Sequence, residues 1–475
     1  MSNWRATTTS QTEEGITLDH DKLTAIDRQI LGDLYLSRGG ADFVEEIVDK
    51  FGARFGGSDE ERAAADYIVE VLKGFGVDKA WKEAFQCNGW TRKPVKLTVT
   101  APVERSIDAI ALPFCPPGVV EAPLVYLGDG DPQTYADNAD KLKGAVAMVN
   151  TANPRFFHRG MHRGEKLGRA LKAGAIGFIW MRGEPGGLPE TGSARFNRAC
   201  EVPAISVSFE SGHEMLRLAR QGQVKVRIES ECIVAPTTSY NVIGEITGRS
   251  KPAEVIVVGG HYDGHDISQS ANDNAAGTAV VLQAARALAP HKDKMERTIR
   301  FVAFAQEEMG LIGSYAYVDA HKDDNFVYML NLDGAGRGSR GTFSLQNWSE
   351  NTAFFRSMFR DIHEGHVTVG DSPSLYSDMY PFAAKGFPAS SYTSSDPVSG
   401  GAPRGYGHTY WDSLDKLNPR ALQLDSIFVA RLLARMATLA ELPLKRKAPA
   451  ALGARLKQMG LDEVLKYELR EVPGE

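Results

Sequence analysis

The sequence predicts an α/β protein: a mixed, mostly parallel sheet flanked by helices, with a second, strand-rich module inserted into it. Three observations carry this. Over residues 240–442 the chain repeats strand, loop and helix, and its strands (Glu254–Val258, Ile299–Ala305, Phe326–Leu332) are near-continuous apolar runs. Such strands belong in a sheet covered by helices on both faces. From about residue 95 to 238 the texture changes to short apolar runs separated by Gly and Pro, and the opening residues are helical in rhythm.

Each element follows from local pattern. Residues 1–20 are a polar leader. From Leu23 to Val48 apolar residues recur at helical spacing, interrupted at Gly39–Gly40. Ser58 with Glu61 is an N-cap box for a helix that Gly76 ends. In the inserted stretch, strands are expected at Leu97–Thr100, Ala122–Leu127, Ala145–Asn150, Ile176–Trp180, Ala204–Val207 and Val224–Glu229, with helices near Lys166–Ala173 and Gly212–Gln221. After it, Tyr240–Ile246 begins the main sheet again, with helices at Ala275–Ala289 and Leu311–Ala320. Past Pro443, the basic link Lys445–Lys447 leads to a terminal helix using Leu452, Leu456, Met459, Val464, Leu465 and Leu469. The domains expected are 20–100 with 239–443, the insert 101–238, and a helical extension 444–475.

Composition removes several function classes. With 475 residues the chain can bury a large core unaided by staples. A net charge of −6 argues against a nucleic-acid partner or an anionic membrane surface. The longest apolar runs are strand-length, far short of the roughly 20 residues of a spanning helix. Cys87, Cys115, Cys200 and Cys232 are scattered, which suggests buried thiols and no disulfide framework. Met1–Gly15 lacks a basic start and an apolar segment, so a cytoplasmic protein is the expectation.

Three apolar strands run into chemistry. Val255–Val258 leads to His261-Tyr262-Asp263, Ile299–Ala305 to Gln306-Glu307-Glu308, and Phe326–Leu332 to Asp333. Ligands in open α/β sheets sit beyond the carboxyl ends of strands, so these groups can converge. Asp273 lies in an acidic turn before a helix, and His408 in Gly407-His408-Thr409-Tyr410-Trp411-Asp412. Two imidazoles (His261, His408), two terminal carboxylates (Glu308, Asp333) and a shared Asp273 are the makings of a two-metal site with room for a bridging water. Mixed nitrogen and oxygen donors suit zinc, with cobalt or manganese as substitutes. Adjacent Glu307 and Glu308 point in different directions, so one can bind metal while the other moves a proton. Asp263 is placed to accept the second N–H of His261.

The stretches GGHYDGHD, SANDNAAGTA, EEMGLIGS, NLDGAG, YSDMYPF and GHTYWDSLDKL, spanning 259–417, resemble the co-catalytic zinc exopeptidases, the family of bacterial leucyl aminopeptidases and plasma glutamate carboxypeptidase. GRALKAGAIGFIW and VPAISVS are similar to a protease-associated domain, which several members carry as an insert over the cleft. The resemblance implies the zinc-exopeptidase fold and two zinc ions per chain. Asp273 would bridge, His261 and Asp333 would hold one ion, and Glu308 and His408 the other. Glu307 would be the general base, Asp263 the orienter, and the Asp273–Asn274 peptide cis. The implied reaction is hydrolysis of a terminal peptide bond by a metal-bridging hydroxide on a peptide substrate, an aminopeptidase or dipeptidase being favoured. A carboxypeptidase is the alternative, followed by an inactive partner-binding relative; the glutaminyl cyclase branch fits less well because of the insert. A homodimer stays open.

The sequence departs from the family in places. Met379 occupies the His position of an SDHxxF stretch, and Gly407 stands where some relatives have an oxyanion-stabilising Tyr, which leaves Tyr406, Tyr376 and Tyr380 as candidates. His265 is unusual and is expected to line the pocket. Of the other histidines, His158 and His162 are candidates for the pocket rim, while His20, His213, His291, His321, His363 and His366 are expected to be solvated or hydrogen-bonded. Gly334–Gly341 imitates a dinucleotide loop, but strand-like Thr342–Leu345 follows where a helix would be required. Asn347-Trp348-Ser349 is a glycosylation sequon by pattern only.

Overall fold

Eight strands form the main sheet in the order Lys79–Thr91, Ile233–Ile246, Arg297–Phe304, Lys251–His261, Asn325–Asn331, Ala389–Ser395, Arg340–Leu345, Val367–Asp371. The computed structural model describes residues 20–360, 362, 367–396 and 406–475. The readings made for the leader before residue 20, for the His20 side chain, and for His363 and His366 lie outside the described residues. The four middle strands, from Arg297–Phe304 to Ala389–Ser395, are mutually parallel, and the first two of the sheet are antiparallel to their neighbours. The expected mixed, mostly parallel sheet is therefore present. Its apolar runs are explained by burial: Ile256, Val257, Val258, Ile299, Phe301, Met329 and Leu330 are all sealed from solvent.

Helices cover both faces. The helix Ala276–Leu288 is almost wholly buried, against Lys251–His261 on one side and the helix Pro419–Thr438 on the other. Its Ala and Gly residues allow that approach. Asp59–Phe75 starts as its cap box predicts: the Ser58 hydroxyl accepts from the Glu61 N–H at 3.1 Å, and Gly76 closes the helix in the left-handed conformation (φ 80°). The Glu61 carboxylate does not return to the Ser58 N–H, which bonds the Phe55 carbonyl at 3.0 Å. That carboxylate accepts from the Gly57 N–H and the Ser239 hydroxyl, both at 2.8 Å, and so ties the helix to the strand Ile233–Ile246. Burial pushes this carboxyl up to about 8.

The insert forms its own eight-stranded sheet, in the order Arg105–Ile107, Val95–Ala101, Lys225–Ser230, Gly118–Tyr126, Val146–Asn150, Gly177–Met181, Ala204–Val207, Ile110–Ala111. Two of its apolar clusters are separate from the main core, while Ala111, Phe114 and Cys115 cluster with Phe55, Met309 and Ile312 of the main domain. Two boundaries differ from expectation. The strand Lys79–Thr91 went unread because its residues are mostly half-exposed and show no clean alternation. It pairs along its whole length with Ile233–Ile246, and the chain then enters the insert's sheet at Val95, not at 101. The single terminal helix is in fact two, Pro449–Gln458 and Asp462–Tyr467, separated by a turn in which Gly460 has φ 66°. Leu452, Leu456, Val464 and Leu465 are buried as expected, but Leu469 is exposed.

The tail bonds main domain and insert together. The buried Glu468 carboxylate receives the Tyr376 hydroxyl at 2.8 Å, lies 3.0 Å from His162 Nδ1 and pairs with Arg470 at 3.1 Å. His162 belongs to the insert, where it caps the helix Arg163–Lys172. It is therefore a joint between modules.

Two stability predictions follow from these contacts. Ser58→Ala should cost about 1 kcal/mol in denaturant unfolding through the lost cap. A Cβ at Gly277 would stand 2.0 Å from the Leu332 carbonyl oxygen and 2.3 Å from Asn274 Oδ1. Backbone must then move, so Gly277→Ala should cost at least the upper end of the roughly 1–3 kcal/mol typical of overpacking.

Candidate metal centre

The strand ends deliver their side chains to one place. His261 is the last residue of Lys251–His261, and Glu307, Glu308 and Asp333 follow the ends of its two parallel neighbours. Asp273 comes from the turn before the helix Ala276–Leu288, and His408 from a loop that holds it in the left-handed conformation (φ 62°). The structure brings all of these together. Asp273 Oδ1 lies 3.5 Å from His261 Nε2, which is 3.8 Å from Asp333 Oδ1. Asp273 Oδ2 lies 3.5 Å from His408 Nε2, which is 3.3 Å from Glu308 Oε2. One carboxylate thus turns one oxygen toward each of two imidazole–carboxylate groups. His265, expected to line the pocket, sits inside the second group: it is 1% exposed, with Nε2 2.9 Å from Glu308 Oε2. His261, Asp273 and Asp333 form one set of donor atoms lying within 4.8 Å of one another, and His265, Glu308 and His408 form another.

The electrostatics fit dications. Asp263, Asp273, Glu308, Asp378 and Asp412 are buried around the site, while Arg337 is the cation beside Asp273, at 3.5 Å. Burial, with the carboxylates of Asp333, Glu308 and Asp378, pushes Glu307 well above the usual carboxyl range. Burial, with Asp263 and Asp333, takes Asp378 up to about 7. Burial disfavours a charged His261, yet Glu307, Asp263, Asp273 and Asp333 outweigh it and hold the imidazole well above its ordinary value. Burial takes His265 down to about 4, so its ring is neutral. Acidic groups crowded this closely in a dry site call for positive charge, which metal ions on these donors would supply.

An outer layer of hydrogen bonds fixes the donors, and much of it was not legible in the sequence. Asp263 was read as the acceptor for His261. Its carboxylate Oδ1 stands 3.4 Å from His261 Nδ1, which is also 3.1 Å from the Asp263 backbone carbonyl, and the same carboxylate accepts the backbone N–H groups of Glu307 (3.1 Å) and Glu308 (3.3 Å). Asp412 accepts from the N–H groups of Asn272 and Asp273, each at 2.9 Å. The Asp273–Asn274 peptide is cis, as the resemblance implies. Ser377, also left-handed (φ 75°), donates to Asp333 Oδ2 at 2.7 Å. Arg337, from the loop that imitates a dinucleotide site, also donates to the Asn272 carbonyl at 3.0 Å.

The insert reaches the donors themselves. Thr191 N–H donates to the His408 carbonyl at 2.8 Å, and the Thr191 carbonyl stands 3.2 Å from His408 Nδ1. The Ser193 hydroxyl donates to the Glu308 carbonyl. These are mostly backbone contacts from an irregular loop, so no sequence pattern announces them. The three tyrosine candidates are placed less usefully. Tyr376 is committed to Glu468, Tyr380 is buried under Arg470, and Tyr406 lies against Trp411 and Lys416.

Residues 241–432 match the model of Peptidase family M28, and residues 120–215 match the PA domain. Carboxypeptidase Q of Xenopus laevis is 25% identical over 308 residues, covering 62% of this chain and 64% of that protein. The chain thus spans a little under two thirds of the length of the curated relatives it matches. A Peptidase M28 precursor from Shewanella amazonensis superposes with a TM-score of 0.76 at 26% identity, covering 90% of this chain and 100% of that one. An aminopeptidase from Aneurinibacillus sp. strain AM-1 gives 0.65 at 25% identity, covering 89% and 98%. The resemblance read from the motifs therefore holds over these segments: residues 241–432 are similar to M28 peptidases, and the stretch similar to a PA domain lies ahead of them.

Asp412→Asn turns an NH2 group toward one of two backbone N–H donors. It should weaken metal binding at Asp273 by about 10–100-fold, the usual cost of losing an outer-shell partner. Metal-to-protein ratios against a competing chelator would measure this, and unchanged affinity would show that Asp412 does not hold the turn.

Proposed function

We propose that this chain, carrying an M28 peptidase domain interrupted by a PA domain, is a zinc-dependent exopeptidase acting on peptides or dipeptides. One observation carries the reading: Asp273 stands between two imidazole–carboxylate groups with Glu307 beside them. His261 and Asp333 would hold one ion, Glu308 and His408 the other, and Asp273 both. Bound there, two such ions would polarise the scissile carbonyl and lower the pKa of water. Imidazole and carboxylate donors suit zinc, and cobalt or manganese can replace it.

The chain's own residues do the rest. The Glu307 carboxylate accepts a proton from the attacking water and returns it to the leaving amine nitrogen. Without metal, burial and then the neighbouring carboxylates raise the proton affinity of Glu307, and bound ions would offset that rise. Asp263 fixes the N–H groups of Glu307 and Glu308, so base and ligand keep different directions. Thr191 and Ser193 of the insert hold the loops of His408 and Glu308. The carboxylate-rich rim offers a counter-charge to a substrate α-amino group, which favours an aminopeptidase or dipeptidase. Similarity to carboxypeptidase Q supports a carboxypeptidase as the second reading. An inactive, partner-binding role is disfavoured, because all five donors and the base are in place.

Two measurements test this. Glu307→Gln should lower kcat by at least about 10²-fold, the scale of a lost general base, while metal content stays unchanged. Loss of metal instead would assign ligation to Glu307 and the proton to Glu308. Hydrolysis of one dipeptide beside its N-blocked and C-blocked forms should show that blocking the amino end abolishes turnover. Activity that survives N-blocking and fails on C-blocking would establish the carboxypeptidase.

A further inference from the structure

His265 has no part in the scheme above, yet it is among the most completely buried polar groups of the site. Its position is built from several sides. Gly264 before it admits no side chain, since a Cβ there would stand 2.2 Å from Ser270 Cβ and Oγ. The His265 N–H donates to Ser270 Oγ at 3.1 Å. Arg54, fully buried, donates to the carbonyls of Tyr262 (2.8 Å), Gln269 (3.2 Å) and Ser270 (3.0 Å), which clamps both ends of the loop. The next residue, Asp266, takes both arms of Arg92 at 2.6 and 2.7 Å. The loop is thus pinned on either side of the imidazole, and the imidazole has one place to point.

That place is the second donor group. His265 Nε2 is 2.9 Å from Glu308 Oε2, and its ring stands edge-on to that of His408, with centroids 4.5 Å apart. Despite this approach, neither ring nitrogen of His265 makes a hydrogen bond among the described residues. A buried polar group left unbonded is costly, and such groups are rare without a reason. The spacing suggests the reason. Tetrahedral zinc with bonds of roughly 2.0–2.1 Å sets its ligand atoms about 3.3 Å apart. The His265–Glu308, His408–Glu308 and His408–Asp273 separations are 2.9, 3.3 and 3.5 Å.

We propose that His265 is a further ligand of the ion held by Glu308 and His408. This rests on the two-metal reading above and makes its halves unequal. One ion has four protein donors (His265, Glu308, His408 and one oxygen of Asp273), the closed arrangement typical of structural zinc. The other has His261, Asp333 and the second oxygen of Asp273, and it keeps an open position. Substrate is therefore engaged at the His261–Asp333 side, and the closed ion binds more tightly and leaves last.

Metal binding by the whole protein tests this without relying on activity. The chain is stripped with a chelator and titrated with Co2+, following visible absorption and metal-to-protein ratio. The wild type should take up two ions in unequal steps, the first giving the intense bands of four-coordinate cobalt. His265→Ala should weaken one ion by more than about 100-fold, beyond the 10–100-fold of an outer-shell loss, and remove those bands. His265→Gln, which keeps bulk and polarity, should do the same, so a folding defect in one variant is not mistaken for ligand loss. X-ray absorption of the wild-type zinc protein should count three imidazoles over two ions. Two imidazoles, or variants that bind both ions with wild-type affinity and spectra, would overturn the proposal while leaving the two-metal reading intact. A wild type that binds no metal would overturn both.

Discussion

The site depends on one constraint: the Asp273 carboxylate must present one oxygen to each of two donor groups. Neither oxygen can rotate away without abandoning His261 or His408, so the turn that carries Asp273 must be fixed in all directions. Asp412 grips the N–H groups of Asn272 and Asp273, and Arg337 holds the Asn272 carbonyl. On the far side the Asn274 amide donates to the Leu332 carbonyl at 3.0 Å. Gly277, with no room for a side chain, lets the following helix sit directly on that carbonyl. The helix N-terminus, two strand ends and the His408 loop are therefore positioned by a single acidic turn.

That turn sits where a parallel sheet can serve it. Three neighbouring parallel strands end on the same edge, so three side-chain sets distant in sequence become adjacent without long excursions of the chain. The charge this gathers would be untenable unless neutralised. Carboxylates cluster in a nearly dry volume, and the unusual titration of Glu307, Asp378 and His261 expresses the strain of holding them there. Before metal binds, burial together with the same crowding raises the proton affinity of Glu307.

The insert and tail add a second level of control. The loop around Thr191 and Ser193 bonds to the carbonyls of the very residues that present His408 and Glu308, and Glu468 joins insert, tail and main domain through His162, Arg470 and Tyr376. The Thr191 and Ser193 bonds fall on the His408–Glu308 half of the site. A module that looks appended in the sequence is part of how the donors are held.

Local pattern alone determined a good deal. Continuous apolar strands gave the layered sheet, Ser58 and Glu61 gave a helix start, and acids and imidazoles at strand ends gave the candidate donors and base, because each of these signals lies within a few residues. What needed the tertiary structure was every relation between distant backbones. Asp263 stands beside His261 and also takes the N–H groups of the next strand, a second partnership visible only once the strands pair. Asp412, Arg337 and Thr191 act through backbone carbonyls and amides that have no residue signature, and Ser377 reaches Asp333 from a distant loop. His265 looked like a pocket residue because its sequence neighbours say nothing of Glu308 and His408, which the fold sets against it. Side-chain chemistry was legible in the chain, and the choice of partner for each side chain belonged to the packing.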